Sequence, residues 1–450
     1  MSTLAHDLAG VVGDGHVLTD PDLVSGYTTD WTGRYRGEAA LVVRPGSAAE
    51  VAGVLRCCAR HRAPVVTQGG NTGLVGGAVP AGPAAVLLST RRLTGLGPVD
   101  TLAGQVTAGA GVTIADLHAA AAAAGLAYGV DLAARDSATV GGTIATNAGG
   151  IHTIRYGPTR AQLLGVEAVL ADGSVLSHLS GLAADNTGYD LAGLLTGSEG
   201  TLAVITAARL RLWPAAAPAA VALAGVPGLA EAAALLARIR AAVPGLHAAE
   251  YLEAEGMDLV RAAAGLPLPL GRGYPAYLLA EVAGDEDTAA GGLAAAGLPD
   301  DTAVALDGPG RAALWAYRER QTEAISAAGV PHKLDVSVPV AALAAFREEL
   351  GPAVRAAAGP ACRVIVFGHL GAGNLHVNLL GPGPGEDAAD EAVLRLTAAH
   401  GGSVSAEHGI GRAKARWLQL SRSPAEIAAM RAIKHALDPA GLLNPGVLLP

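Results

Sequence analysis

At 450 residues, 51% of them hydrophobic, the chain has material for two or three cored domains by the guide of roughly 150 residues each. Aromatic residues reach only 3%, the formal net charge is −9 and the pI is near 5.8. Nucleic acid is therefore excluded as a partner, because base stacking needs aromatic platforms and phosphate backbones need basic surfaces. The alanine runs break at Gly, Pro or a charge before about 18 consecutive apolar residues, so no transmembrane segment is expected. MSTLAHDLAG lacks a basic leader, and Cys57, Cys58 and Cys362 offer neither a disulfide framework nor a zinc-ribbon spacing. A cytoplasmic protein is the expectation.

Along the chain, Ser47-Ala48-Ala49-Glu50 is a capping box, followed at helical spacing by Val51, Val54, Leu55 and Cys58 and stopped near Arg62-Ala63-Pro64. PVVT then reads as a short buried strand entering a glycine-rich turn. Thr113, with Asp116 three residues on, begins a second capped helix that Gly125 stops. VEAVLADGSVLS carries Asp172-Gly173 between two apolar runs, a hairpin signal. Beyond Leu212-Trp213-Pro214 the texture changes to Ala-rich helices alternating with strand-like runs such as AYLLAEVAG and KLDVSVP. A GPGPGED loop introduces the last segment, where Ser423-Pro424-Ala425-Glu426 starts a helix that DPAGLLNPG stops. The expected domains are 1–214, 215–385 and 386–450.

VIVFGHLGAGNLHVNLL (364–380) reads as a β-hairpin with His369 and His376 at its shoulders and the six residues LGAGNL as its turn. Matched positions across such a hairpin share a face with Cβ atoms about 4.5–5.5 Å apart, which gives half of a metal site. Glu407-His408 adds a carboxylate as third ligand and a histidine left over for proton transfer. This two-histidine, one-carboxylate set suits Zn²⁺ and does not exclude Mn²⁺ or Fe²⁺.

Three stretches rich in Gly, Thr, Ser and Asn stand beside β-branched runs: Gln68–Gly77, Val140–Gly150 and Thr196–Thr206. Glycine turns form nests of N–H groups for phosphate oxygens. The first is neither a Walker loop, lacking GK[ST], nor a Rossmann fingerprint, lacking GxGxxG. Together they suit a long polar ligand such as a dinucleotide. Taken singly, each also reads as a plain tight turn.

In this order and spacing, QGGNTGLVGGAVP, GGTIATNAGG and TGSEGTLAVIT resemble the FAD-binding half of the vanillyl-alcohol-oxidase/PCMH flavoprotein family. HLGAGNLHVN, SAEHGIG and DPAGLLNPG resemble the carboxy-terminal half of its D-2-hydroxyacid dehydrogenase branch. The resemblance implies an α+β fold: a two-lobed FAD-binding domain, an antiparallel-sheet cap domain, and a C-terminal helical segment returning to the flavin. It implies noncovalent FAD held by Gly69, Gly70, Asn71, Thr72, Gly73, Leu74, Gly76, Gly77, Asp131, Ser137, Gly141, Gly142, Thr146, Asn147, Gly149, Gly150, Glu199, Gly200, Ile205 and Asn444.

The substrate side follows partly from the residues. GRAALWAYRERQTEAISAAG (310–329) reads as one helix with Arg318 and Thr322 at i,i+4, either a solvated face or, as the resemblance implies, a carboxylate grip. Strict alternation in 331–338 makes a strand with Lys333, Asp335 and Ser337 on one face. A lone strand lysine also reads as merely exposed, but this segment resembles the corresponding strand of D-2-hydroxyglutarate dehydrogenases, which implies that Lys333 contacts substrate; the D-lactate-type members of the family generally lack that lysine. Asn378, two residues after His376 and on the same strand face, would meet a substrate oxygen, as the resemblance implies. The family's hairpin turn commonly carries Asp where this chain has Ala372, which bears on turn geometry and not on the ligands.

The implied reaction is oxidation of a D-2-hydroxyacid to the 2-oxoacid, D-2-hydroxyglutarate to 2-oxoglutarate being favoured. The metal engages the α-hydroxyl, His408 removes its proton, and hydride passes to FAD. D-lactate or glycolate is the alternative within the fold, and a non-catalytic dinucleotide- or metal-binding protein is the alternative outside it. An electron-transfer flavoprotein or a quinone is the expected type of electron acceptor, and a homodimer is among the expected assemblies.

Overall fold

The apolar segments 41–43, 65–68 and 86–89 lie side by side as parallel strands, which explains why they read as unbroken hydrophobic runs: both of their faces are covered. The computed structural model describes residues 3–182, 184–383 and 385–449. It divides the chain into two units, the first Met1–Gly149, Gly157–Ala215 and Glu407–Pro450, the second Gly150–Tyr156 and Ala216–Ala406. The divisions fall at 149/150, 156/157, 215/216 and 406/407. The helix Ala388–Ala399 belongs to the second unit because it packs on the helix Leu343–Ala358. Pro384 of the expected glycine-proline loop lies outside the described residues.

The first unit holds two four-stranded sheets. One runs Val17–Leu18, Leu41–Val43, Val86–Ser89, Val65–Gln68, its last three strands parallel. The other is antiparallel, in the order Gln105–Gly109, Val204–Arg211, Leu163–Val169, Val175–His178. Ser47 caps the helix Ala48–His61 by accepting from the Glu50 N–H. The Glu50 carboxylate accepts from the Gly46 N–H and not from the cap residue itself. Val51, Val54 and Leu55 on this helix are fully buried, each stabilising by about 1.5–3 kcal/mol. The Asp172-Gly173 hairpin forms as expected, with Gly173 at φ 83. The chain end joins the parallel sheet: Leu443 bridges Val65, and the Asn444 N–H donates to Val65 O at 2.8 Å.

The second unit is built on a seven-stranded antiparallel sheet. Its order is Thr302–Ala305, Pro218–Val226, Ala276–Ala283, Leu246–Glu253, Arg363–His369, Asn374–Leu380, His332–Ser337. Leu252, Leu279, Ile365 and Phe367 share a core with Met257, Trp315 and Ile325 from the helices Ala254–Ala264, Gly308–Glu319 and Gln321–Ala328. The single helix expected over 310–329 is therefore two. The break falls at Arg320 (φ −86, ψ 0), so Arg318 and Thr322 stand on different helices and the i,i+4 argument does not hold.

Candidate active site

The antiparallel register of the second unit sets functional side chains in rows. Glu250 pairs with His369, Phe367 with His376, and His376 with Asp335. Because side chains two apart share a face, Glu250, His369, Phe367, His376 and Asp335 all lie on one side of the sheet. Lys333 and Asn378 form the next row. The hairpin turn is shorter than the sequence suggested: the strands run to His369 and from Asn374, with Gly373 at φ 68 closing four turn residues. His369 thus lies diagonal to His376 and not directly opposite. Their ring centroids are 5.2 Å apart and perpendicular.

Both histidines have carboxylate neighbours. Glu250, fully buried, accepts from Nδ1 of His369 at 2.7 Å and from Nε of Arg318 at 2.5 Å. Asp335, also fully buried, places Oδ1 3.5 Å from His376 Nδ1, and its Oδ2 accepts from the Ala406 N–H at 3.0 Å. A proton donated from Nδ1 of His369 to a carboxylate leaves Nε2 as the lone-pair donor, the usual way a ligating histidine is oriented. Two buried imidazoles so disposed fit a borderline divalent cation. Glu407 and His408 follow Ala406 directly in the chain and are half-buried.

Arg318 is 8% exposed, which rules out a solvated helix face. Its guanidinium also stands 4.7 Å over the Phe367 ring. Thr322 is half-buried. Lys333 is half-buried and its ammonium is pushed down to about 8 by burial. The Asn378 amide donates to Ile365 O and His376 O at 3.4 and 3.3 Å.

The first unit holds every expected cofactor residue except Gly150, which falls in the second, and draws them from all three glycine-rich stretches. A Cβ on Gly69 would sit 2.4 Å from Thr139 Oγ1, and one on Gly70 1.9 Å from Ser137 O, so the first stretch packs its bare backbone against the residues that lead into the second. Gly141 and Gly142 open the helix Val140–Thr146, capped by Thr139 and ended by Asn147 in the left-handed region. Asn71 is left-handed too, while Gly73 faces open space. Asn444 donates to Gly77 O and Glu199 O, and a Cβ on Gly200 would lie 3.6 Å from both Asn444 Nδ2 and Thr67 Cβ. Among the described residues, Thr67 Oγ1 and Asn444 Oδ1 are buried without a hydrogen-bond partner. Such atoms beside convergent glycine turns fit a polar dinucleotide.

Glu199 has a different occupation. Its two carboxylate oxygens accept from the Ile410 and Gly411 N–H groups at 2.7 Å each. Burial pushes this carboxyl up to about 6 against those amides and the Lys414 charge. Asp131 is buried with Arg135 Nε 3.1 Å away, and Ile205 lies in the strand Val204–Arg211.

Residues 39–178 match the family described as FAD binding domain, and residues 216–448 match FAD linked oxidases, C-terminal domain. The chain belongs to the FAD-linked oxidases. It is an FAD-dependent oxidoreductase. The mitochondrial D-2-hydroxyglutarate dehydrogenase of Bos taurus is 39% identical over 99% of this chain and 83% of its own length. The D-2-hydroxyglutarate dehydrogenase of Xanthomonas citri pv. viticola is 39% identical over 96% and 93%. That of Stutzerimonas stutzeri is 34% identical over 98% of both. In fold the flavoenzyme is similar to alkyldihydroxyacetonephosphate synthase (TM-score 0.77, 16% identity, 99% and 84% covered) and to p-cresol methylhydroxylase (0.74, 16%, 98% and 95%). The mixed α+β architecture with an antiparallel cap sheet that the family resemblance implied is the one found.

Glu250 is the functional candidate that sequence reasoning missed. The signal was present, since HAAEYLE sets a histidine and two acids among the apolar residues of a fully buried strand. Only the register shows that it serves both Arg318 and His369.

Proposed function

We propose that this flavoenzyme oxidises D-2-hydroxyglutarate to 2-oxoglutarate. The observation that carries the reading is the row Glu250, His369, His376, Asp335 on one sheet face, flanked by the buried guanidinium of Arg318 and the half-buried ammonium of Lys333. The names of its relatives, which cover nearly the whole chain, support the same substrate. Two cationic side chains suit a substrate with two carboxylates better than lactate, which has one.

Arg318 grips one carboxylate with its guanidinium fork, fixed in direction by Glu250. Lys333 takes the other as a point charge, and Thr322 adds a hydroxyl to the grip on the carboxylates. Asn378 orients the substrate oxygen, and His408 accepts the α-hydroxyl proton as general base. His369 and His376, with Glu407 as carboxylate ligand, hold a divalent cation, zinc by preference and manganese or iron as alternatives. When bound, this ion supplies the Lewis acidity that lowers the hydroxyl pKa, and bound FAD supplies the hydride acceptor. Gly69–Gly77, Gly141–Gly150 and Asn444 hold the FAD noncovalently. An electron-transfer flavoprotein or a quinone then collects the electrons.

The test is anaerobic mixing of the metal-replete enzyme with a panel of D-2-hydroxyacids, following bleaching of oxidised flavin. D-2-hydroxyglutarate should bleach it fastest. Faster bleaching by D-lactate or glycolate would overturn the substrate, and no bleaching by any member would overturn the reaction.

A further inference from the structure

Three side chains of the second unit that the proposed reaction does not use converge on one point. His247 lies in the strand Leu246–Glu253 and Glu281 in its neighbour Ala276–Ala283. The register pairs Leu246 with Val282 but Ala248 with Glu281, so His247 is the extra residue of a β-bulge. A bulge re-aims a side chain. Here it brings His247 Nδ1 to 3.9 Å from Glu281 Oε1. His152, just before the short helix Thr153–Tyr156, brings Nε2 to 3.5 Å from the same oxygen.

All three donor atoms lie within 4.8 Å of one another. The two separations from Oε1 are long for hydrogen bonds, whose heavy atoms stand about 2.7–3.2 Å apart. They come close to the roughly 3.3 Å between neighbouring ligands of a tetrahedral cation with bonds of about 2.0–2.1 Å.

The outer atoms of the cluster are held as well. Trp315 Nε1 donates to Glu281 Oε2 at 2.7 Å, leaving Oε1 for the centre. Tyr156 Oη lies 3.1 Å from His247 Nε2. A hydrogen on Nε2 facing that phenol oxygen leaves the Nδ1 lone pair facing Glu281. His247 and Glu281 side chains are 7% and 9% exposed, and His152, at 20%, leaves a way in.

We propose that His152, His247 and Glu281 form a second divalent-cation site, suited to Zn²⁺, that pins the segment 150–156 to the sheet. It shares no residue with the His369/His376 pair. Two histidines, one carboxylate and their outer hydrogen-bond partners make up the donor set.

The experiment measures zinc per flavin in the holoenzyme by mass spectrometry after dialysis against micromolar Zn²⁺. The wild type should hold two equivalents, His247→Ala one and His376→Ala one, with flavin content unchanged. Tyr156→Phe should release one equivalent to chelator at 10- to 100-fold lower chelator concentration, roughly the effect of losing an outer partner. If the wild type and His376→Ala each hold one equivalent and His247→Ala none, this site stands and the His369/His376 assignment fails. Zinc content unchanged in His247→Ala overturns the proposal. If His247→Ala loses its flavin, Tyr156→Phe decides, and an unaltered chelator response in that variant overturns the proposal.

Discussion

Replacing Glu250 by Gln tests the array at its most buried point. The carboxylate has no exposure and accepts two charge-assisted hydrogen bonds, from Arg318 and His369. Each is worth about 1.5–3 kcal/mol. Glutamine keeps the volume but can offer its one carbonyl to only one donor and turns an amide N–H₂ toward the other. It also leaves Arg318, 8% exposed, without a counter-charge. Breaking a buried pair from one side costs about 3–5 kcal/mol. With m near 3 kcal/mol/M in urea, the unfolding midpoint should fall by roughly 1–1.7 M. The Michaelis constant for the hydroxyacid should rise with Arg318 misdirected, and zinc should leave the His369 site 10- to 100-fold more readily, an order-of-magnitude expectation. Adding Arg318→Met to Glu250→Gln should recover much of the lost stability, because an apolar partner removes the stranded charge. A midpoint within about 0.2 M of wild type, with Michaelis constant and zinc unchanged, would refute this reasoning.

His408→Asn should keep flavin and metal while turnover falls by about 10²–10⁴, the usual contribution of a general base; normal turnover removes the assignment. Lys333→Met should impair a dicarboxylate substrate far more than lactate, and equal losses would remove the case for hydroxyglutarate. Because burial lowers the Lys333 ammonium to about 8, it is charged below that pH and loses its charge as pH rises through it. The Michaelis constant for the dicarboxylate should therefore climb above about pH 8 in the wild type and stay level in Lys333→Met. Glu199→Gln should loosen the Ile410–Gly411 segment, detectable as faster hydrogen exchange of those two amides. The raised Glu199 carboxyl binds its proton more tightly folded than unfolded, so its contribution to stability is fully present below pH 4.5 and declines as pH rises through about 6. That slope should vanish in the glutamine variant.

Local signals in the sequence carried much of the fold. Ser47, Thr113 and Ser423 each cap the helix expected of them, since a hydroxyl three residues before an acid satisfies the same orphan amides in any context. The first glycine run read as a tight turn, and it holds Asn71 and Gly76 in the left-handed region. Long-range register was not legible. The hairpin turn was read two residues too long because nothing local shows that Asn374 and Leu375 already pair. The break at Arg320 was hidden because the apolar spacing of Leu314, Trp315, Ile325 and their neighbours continues across it. The roles of Glu250 and of the bulged His247 depend on which strands become neighbours, and that is decided by residues more than 30 positions away.

The order of synthesis meets an unusual constraint here. Residues 216–406 run without interruption, so most of the second unit can fold as soon as it leaves the ribosome. The parallel sheet of the first unit waits for Leu443 and Asn444 to dock against Val65, nearly 380 residues after that strand was made. Until then its Val65 edge stays open to pairing with other chains.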